Sequence, residues 1–353
     1  MRRRFEDIDF IDVALWLIRA AIIILVAWGT IAALLDNPYS RTQWLDFIIF
    51  GFAQGSLYAL IAIGYTLVYG VLFMINFAHG EFFMAGTMTA TIFVATPLAA
   101  SGFLNRQPII SIVLIGLVSM AVAIAIALLT ERIAYRPLRK APRLVPLITA
   151  IGASFFWQYF FRGLYGSSVI PFPKIDILQG FIFIGEIRIL KTHLLVVFIT
   201  IISLIGLYFF VMRTKTGKSI RSVAENKDVA ALMGIDVDRT ISITFAVGAA
   251  MAGIAGLLYV IVFRQVHFFM GFIPGIKAFT AAVLGGIGSI PGAALGGLVL
   301  GLIESIGPAL FLQGLNIPAA HQLKDVIAFV VLVFILLFRP QGILGERLSE
   351  KKA

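Results

Sequence analysis

The chain has 353 residues, of which 60% are hydrophobic and only 13% are charged, with a mean hydropathy of +1.00. Soluble domains carry about 25% charged residues, so this composition predicts a polytopic α-helical membrane protein. The formal net charge of +10 does not indicate nucleic-acid binding, because the basic residues lie at loop ends between hydrophobic runs, where they orient a membrane protein. The chain has no cysteine, which excludes thiol catalysis, Cys-ligated zinc and disulfides.

The N-terminal segment begins with a basic run, Arg2 to Arg4, which predicts a cytoplasmic N-terminus. We assign residues 1–18 to the cytoplasm or the membrane interface. The first span is predicted to run from Arg19 to Leu35. No small-x-small site follows this apolar run, which argues against a cleaved signal peptide.

The next apolar block, Phe47 to Leu98, is too long for one helix and is predicted to break at 75–81. Four residues interrupt the hydrophobic pattern there: Asn76, His79, Gly80 and Glu81. An ionisable group at bilayer depth costs about 2.5–3.5 kcal/mol, so it usually faces a cavity or a partner. Two interpretations remain: these residues line a translocation path, or the elbow lies at the cytoplasmic surface and His79 and Glu81 meet water.

The middle of the chain is predicted to contain further spans, Ile109 to Leu129 and Leu144 to Phe161, on either side of a basic cytoplasmic loop at 131–143. Residues 174–191 alternate in polarity with a period of two, which predicts a short β-hairpin on the outer surface. The span His193 to Met212 then leads back inward.

A polar island, Arg213 to Arg239, separates two hydrophobic runs and carries six basic residues, so we place it in the cytoplasm as a loop over 213–240. Within it, Asn226 is a predicted N-cap for a short helix over 228–233, and Gly234 suits the left-handed stop. Asp236 is placed to cap the next membrane helix. The island is either a solvated connector or a docking surface with small residues on one helix face.

A second break is predicted between Ile276 and Phe311, after a span from Ile241 to Phe263. The residues of this break that we assign to a translocation path are Gly285, Gly286, Gly288 and Ser289. Freed backbone groups inside a membrane are tolerated where they line a cavity or contact protein. The alternative is a tight helical hairpin. The last span, Val326 to Phe338, precedes a basic cytoplasmic tail over 339–353.

The distribution of basic residues supports this topology. The N-terminus with Arg19 holds four, the 131–143 loop five, the island six and the tail four, so 19 of the 28 Lys and Arg residues are predicted to be cytoplasmic. The fold class is therefore an all-α polytopic membrane protein with about 8–10 transmembrane or half-membrane helices, broken helices and a short external β-hairpin.

No residue constellation predicts catalysis or metal binding. The chain lacks an H-E-x-x-H pair and a G-x-S-x-G elbow, and its four histidines are scattered. We predict no catalytic residue, no metal and no cofactor.

Five stretches resemble a known family: 55–86, 131–154, 224–239, 275–293 and 338–346. They are similar to the inner-membrane permeases of branched-chain amino-acid ABC importers of the LivH type. The resemblance covers about Leu45 to Glu346, and the N-terminal residues are less typical.

The resemblance implies that residues 225–234 dock on an ATPase subunit. It also implies a second permease of similar fold, two ATPase subunits, an external binding protein, and a bacterial or archaeal plasma membrane with both termini in the cytoplasm. The implied coupling residues are Glu225, Asp228, Ala230, Ala231 and Gly234.

The predicted function is that of the membrane-spanning subunit of an ATP-driven importer for branched-chain or other neutral amino acids, working by alternating access. A related urea or short-amide importer is the nearest alternative. An alternative from another class is a self-sufficient secondary transporter or channel. That alternative requires an ion relay among buried charges, for which Glu81, Glu304 and Lys277 are the candidates.

Overall fold

The computed structural model describes residues 10–36, 39–139, 141–142, 144–185, 187–339 and 341–345. The first helices are α1 (Phe10–Asp36), α2 (Arg41–Leu72), α3 (His79–Ala90), α4 (Thr96–Ala100), α5 (Phe103–Arg106), α6 (Pro108–Thr130) and α7 (Leu144–Tyr165). The remaining helices are α8 (Lys191–Arg213), α9 (Lys215–Glu225), α10 (Lys227–Leu232), α11 (Val237–Phe263), α12 (Phe272–Gly285), α13 (Ile290–Gly307) and α14 (Lys324–Phe338). The strands are β1 (Ile170–Pro171), β2 (Phe181–Ile184), β3 (Ile187–Leu190) and β4 (Gln265–Val266).

Within the described residues, nine helical segments are long and apolar enough to cross a membrane, and α12 is a shorter apolar helix. This confirms the predicted all-α polytopic fold. Three of these segments continue past an α-helix through a π-helical turn, at Thr91–Ala95, Glu131–Tyr135 and Pro308–Leu312.

The N-terminal boundary that we placed after residue 18 is not a boundary of secondary structure. Residues 10–36 form one continuous helix, because the stretch FIDVALWLI at 10–18 contains no glycine or proline that would end it. Arg19 lies inside this helix. The basic run Arg2 to Arg4 and the tail beyond residue 345 lie outside the described residues.

Both predicted helix breaks are confirmed. At the elbow, α2 ends with Phe73 in the left-handed region at φ 55°, and α3 starts at His79. At the glycine-rich segment, α12 ends at Gly285, and Gly286 and Gly288 have φ values of 107° and 98°. Residues other than glycine rarely adopt such positive φ angles, so the turn requires glycine at both positions.

The predicted β-hairpin is confirmed over a shorter range than 174–191. Strands β2 and β3 pair antiparallel, from Phe181 opposite Leu190 to Ile184 opposite Ile187. Asp176–Leu178 instead forms a 3₁₀ turn, which begins where the backbone N–H of Asp176 donates to Asn105 Oδ1 at 3.0 Å. A second small sheet joins Ile170 to Val266.

The helices place the polar island at one end of the bundle, which we call the island end. The C-terminal part of α2 lies there, because Ala224 packs beside Gly70 and the Lys227 amine lies 5.5 Å from the Phe73 ring. The start of α1 shares this end with the end of α14, since the Arg19 guanidinium lies 4.1 Å from the Phe338 ring. The described start and the described end of the chain therefore lie at the same end of the bundle.

Close helix packing depends on rows of small residues. A Cβ atom on Gly301 would overlap the backbone of Gly55, and one on Gly297 would overlap Ala59, so α13 lies directly against α2. Gly248 of α11 faces Gly64 of α2 in the same manner. Such rows let helices approach where lipid provides no hydrophobic driving force.

We expect Gly301→Ala to destabilise the protein and Gly206→Ala to have the opposite or no effect. Both are helix positions, where alanine is favoured over glycine by about 0.5–1 kcal/mol. A Cβ at 301 meets backbone, which costs about 1–3 kcal/mol, whereas a Cβ at 206 meets open space. Thermal aggregation of the detergent-solubilised protein, followed by size-exclusion chromatography, measures the difference. Equal midpoints for the two variants would show that α2 and α13 are not in this contact.

Candidate functional site

The polar island folds into two short helices with side-chain caps at each start. Thr214 Oγ1 accepts from the backbone N–H of Gly217 at 3.0 Å and begins α9. Asn226 Oδ1 accepts from the N–H groups of Asp228 at 3.0 Å and Val229 at 3.1 Å and begins α10. Gly234 ends this segment at φ 81°, and Asp236 caps α11 through the N–H of Arg239 at 3.0 Å. The caps predicted from the sequence at Asn226 and Asp236, and the stop at Gly234, are confirmed.

The exposed face of α10 differs from the small-residue face that we predicted. Ala230 is only 3% exposed and packs into the protein, so it is not available to a partner. The exposed apolar side chains are Val229, Leu232 and Met233, with Leu232 87% exposed and Met233 77% exposed. Ala231, Glu225, Asp228 and Gly234 are exposed as well. The sequence pattern did not show which alanine faced inward, because a helix of six residues has too few turns to define a face.

An ion-pair clasp connects α11, which follows the island, to the segment after α6. The Arg139 guanidinium pairs with Glu131 and with Asp238, and Arg136 pairs with Asp238 as well. Ser242 Oγ donates to the second Glu131 oxygen at 3.0 Å. Glu131 and Arg139 are largely buried, so this part of the clasp is screened less by solvent than a surface pair. The clasp was not predicted, because the two partners are about 100 residues apart in sequence.

Lys227 begins α10 and faces a cavity of about 250 Å³ beneath the elbow, together with Phe73, Tyr135 and Arg139. Partial burial, and then the positive charge of Arg139, lower the pKa of Lys227 from its usual value, and Asp228 opposes this shift. The elbow, the 131–139 segment and α10 therefore meet around one cavity.

The four elbow residues are buried inside the subunit, so the interpretation in which His79 and Glu81 meet water at the surface is wrong. The Glu81 carboxylate accepts from Ser154 Oγ at 3.0 Å and from Gln158 Nε2 at 2.7 Å, both on α7. The His79 ring lies 4.7 Å from the Tyr65 ring, and neither of its nitrogens has a hydrogen-bond partner among the described residues. Burial of these groups is consistent with the cost of exposing them to lipid.

Asn76 and Gly80 join the elbow to other elements. Asn76 Oδ1 accepts from the Tyr135 hydroxyl at 2.6 Å and from the Ala78 N–H at 3.1 Å. A Cβ on Gly80 would overlap the carbonyl of Gly271, which directly precedes α12. The starts of α3 and α12 therefore meet by backbone contact.

The glycine-rich break is a tight hairpin at the island end, which is the alternative we left open. Gly285 lies directly against Gly292, and Ser289 Oγ accepts from the Gly292 N–H at 3.2 Å and begins α13. The backbone N–H groups of Ile343 and Leu344 donate to Leu284 and Gly285 at 2.8 and 2.9 Å. At the opposite end of α12, Gly271 contacts Gly80 at the start of α3.

A buried ionic cluster lies between α2, α12, α13 and α14. Lys277 pairs with Glu304, and its Nζ lies 2.6 Å from Asp325 Oδ1. Tyr58 Oη donates to Glu304 Oε2 at 2.6 Å, and Gln54 Nε2 donates to the same oxygen at 3.1 Å. Lys277 and Glu304 are fully buried, whereas the Asp325 side chain is 44% exposed.

This cluster lies near the middle of the helical bundle. Tyr58, Glu304 and Asp325 are 13 or 14 residues from the island ends of their helices, which is roughly 20 Å at about 1.5 Å per residue. A hydrocarbon core is about 30 Å thick, so the cluster is well inside it. The sequence identified Lys277 and Glu304 as buried charges. Gln54, Tyr58 and Asp325 were missed, although a Gln and a Tyr four residues apart in a long apolar run are a detectable signal.

Comparison with known proteins shows the family. The family described as "Branched-chain amino acid transport system / permease component" matches residues 47–336. The chain is 42% identical to the high-affinity branched-chain amino acid transport system permease protein BraD of Pseudomonas aeruginosa, over 88% of this chain and 98% of the relative. It is 40% identical to the corresponding protein LivH of Salmonella typhimurium and 39% identical to LivH of Escherichia coli K12, each over 85% of this chain and 95% of the relative.

The nine membrane-length helical segments of the described residues, the helix breaks after Leu72 and Gly285, and the similarity over most of the chain agree with one another. The chain is a multi-pass membrane protein and belongs to the family of branched-chain amino acid transport system permease components.

Proposed function

We propose that this chain is a membrane-spanning subunit of an ATP-driven importer of branched-chain or other neutral amino acids, and that it moves substrate inward by alternating access. The observation that carries the proposal is the 39–42% identity, over 85–88% of the chain, to permeases named for branched-chain amino acid transport. Its partners are a second permease of similar fold, two ATPase subunits that hydrolyse ATP, and an external binding protein. The chain itself has no catalytic role.

The island end faces the cytoplasm, and residues 225–234, which include α10, dock on an ATPase subunit. The exposed Val229, Leu232 and Met233 support this assignment, because three adjacent apolar side chains on one short helix favour burial against protein. Glu225, Asp228, Ala231 and Gly234 border this surface. The orientation follows from the basic residues of the island and of the 131–139 segment, which lie at the same end.

The translocation path passes beside the ionic cluster, and the second permease forms its other wall. Asp325 supports this, because a half-exposed carboxylate in the hydrocarbon core is stable only against water or protein. The starts of α3 and α12 meet near this depth, and a broken helix of this kind is a recurring feature of transporter binding sites. The contact between the starts of α3 and α12 is held by the elbow residues Asn76, His79, Gly80 and Glu81. The cytoplasmic hinge of α12 is the hairpin formed by Gly285, Gly286, Gly288 and Ser289.

The alternative of a self-sufficient secondary transporter has less support. It requires an ion relay among buried charges, for which Glu81, Glu304 and Lys277 are the candidates. Lys277 is bonded to Glu304, but the Glu81 carboxylate is held by Ser154 and Gln158 on α7, on different helices from the cluster.

Uptake by the reconstituted complex tests the function. The two permeases and two ATPases in proteoliposomes, with the binding protein outside, should accumulate radiolabelled leucine, isoleucine or valine only when ATP is enclosed. A protonophore should leave this uptake unchanged. Accumulation that persists without ATP and stops with the protonophore would establish the secondary transporter instead. Urea in place of leucine tests the related short-amide alternative.

We expect Ala231→Trp to abolish uptake and weaken association of the ATPase subunit, because an indole at this exposed position separates α10 from its groove. Gly234→Val should have a similar effect, since a β-branched residue is strained at φ 81°. Co-purification of the ATPase and substrate-stimulated ATP hydrolysis measure coupling.

Ser222→Trp is the matched control for this prediction. It adds the same ring at an exposed position of α9, and it should retain at least half of the wild-type uptake. Normal uptake by Ala231→Trp would show that α10 is a solvated connector. Equal loss in both variants would show that the effect is not specific to the α10 surface.

We expect Lys277→Met to prevent stable assembly, because it leaves Glu304 as an unpaired charge in the membrane, at a cost of about 3–5 kcal/mol. The double variant Lys277→Met with Glu304→Gln removes the two buried charges and leaves only the half-exposed Asp325 without its cation, so it should restore assembly, as judged by size-exclusion chromatography. Its uptake should stay below a tenth of the wild-type rate if the cluster borders the path. Wild-type uptake by the assembled double variant would assign the cluster a purely structural role.

A further inference from the structure

A cavity of about 380 Å³ lies at the end of the bundle opposite the island, between the first turns of α2, the start of α8 and the β2–β3 hairpin. Its volume is within the range of about 300–1,000 Å³ that is typical of small-molecule sites. The ionic cluster is not part of its lining, and the elbow and the island are not either.

The lining combines one carboxylate, one guanidinium and several apolar side chains. Asp46 Oδ2 accepts from Arg188 Nη2 at 2.7 Å and from Nε at 3.2 Å. Phe47, Phe50 and Phe181 are among the apolar members of the lining, and the buried His193 closes it beside Phe50. The Arg188 guanidinium lies 5.8 Å from the Phe181 ring, which holds it at the edge of the cavity.

We propose that this cavity is an outer acceptor site for a zwitterionic aliphatic amino acid, whose ammonium group binds Asp46 and whose carboxylate binds Arg188. This inference rests on the proposed function, because it names how the permease itself recognises the substrate.

The charge chemistry of the ion pair supports the assignment. An amino acid carries one ammonium and one carboxylate on the same carbon, so it can enter between Asp46 and Arg188 and give each a new partner of opposite charge. Both protein charges then keep a partner of opposite charge. This matters because an unpaired charge is the main cost when one member of an ion pair is removed. An amine or a carboxylic acid alone leaves one protein charge without a partner. The aliphatic side chain contacts the phenylalanine rings, which excludes water from apolar surface.

The position of the cavity supports the assignment as well. Residues 47, 50, 54 and 58 of α2 follow one another at helical spacing and share one face. Phe47 and Phe50 line the cavity, whereas Gln54 and Tyr58 bind Glu304 of the ionic cluster. Ser305, the neighbour of Glu304, donates to the Phe47 carbonyl at 2.6 Å. One face of α2 therefore runs from the outer cavity to the cluster beside the proposed path.

Direct binding to the permease–ATPase complex tests the site. The complex is placed in phosphatidylcholine nanodiscs without the external binding protein, and binding of radiolabelled leucine is measured by scintillation proximity. Competition with leucinamide, which lacks the carboxylate, and with 4-methylpentanoate, which lacks the ammonium, reports each charge separately. Wild-type protein should bind leucine saturably and at least about tenfold more tightly than either analogue.

The two variants should each lose the preference for leucine over a different analogue. Asp46→Asn should bind leucine about tenfold more weakly and lose its preference for leucine over 4-methylpentanoate. Arg188→Gln should lose the preference for leucine over leucinamide instead. The matched controls are Asp176→Asn and Lys174→Gln, which remove exposed charges near the hairpin and outside the cavity. Both controls should bind as the wild type does.

Three outcomes would overturn the acceptor site. In the first, the wild type shows no saturable leucine binding. In the second, Asp46→Asn and Arg188→Gln both bind leucine as the wild type does. In the third, both variants bind leucine more weakly but keep the wild-type preference for leucine over each analogue. The last result would mean that the ion pair only holds the hairpin in place. Binding that disappears when the nanodiscs contain phosphatidylethanolamine would overturn it too, because the lipid headgroup would then be the occupant.

Uptake by the complete system separates failure of this inference from failure of the proposed function. Suppose that leucine uptake depends on ATP and the binding protein, but that one of the overturning results is obtained. The acceptor site is then wrong, and the proposed importer function is retained. An absence of uptake for leucine, isoleucine and valine would instead contradict the proposed import of branched-chain amino acids.

Discussion

The backbone contact between α2 and α13 is the constraint on which the interior of this protein depends. Gly301 against Gly55 and Gly297 against Ala59 bring the two helices closer than side chains would allow. At this distance Tyr58 and Gln54 reach the Glu304 carboxylate, which is therefore solvated by protein rather than by water. Lys277 can then be buried beside Glu304 without an unpaired charge in the membrane. Wider spacing of the same two helices would leave a carboxylate in lipid.

The fold was largely predictable because membrane helices leave a strong signal. Runs of about 20 apolar residues, interrupted by Gly, Pro and charged residues, located the spans and both breaks. A basic residue such as Arg19 predicts where the membrane begins, whereas the helix is set by backbone hydrogen bonds that continue from Phe10, so the helix starts before the predicted span. The elements that surround the glycine-rich segment were not predictable from the sequence. Glycine and proline show where a helix stops, but the neighbours of that stop determine its position in the membrane.

The candidate site was predictable only in part, for a related reason. The caps at Asn226 and Asp236 are local and could be predicted from the sequence. Contacts between distant segments could not, and these include Arg139 with Asp238, Asp46 with Arg188, and Lys277 with Asp325. The inward position of Ala230 was not predictable either, because it depends on the elements against which α10 packs.

The last described residues of the chain bind the α12–α13 hairpin through their backbone. Leu284 and Gly285 are at the end of a helix, where carbonyl groups lack intrahelical donors, and Ile343 and Leu344 supply those donors. Gly342 and Gly345 fit against Gly286 with no room for a side chain. The ribosome makes these residues after α14, the last membrane-length helix of the described residues, so the hairpin gains these two hydrogen bonds only after that helix has been synthesised. A chain shortened to residue 339 would retain the membrane-length helices of the described residues and would lack these two donors.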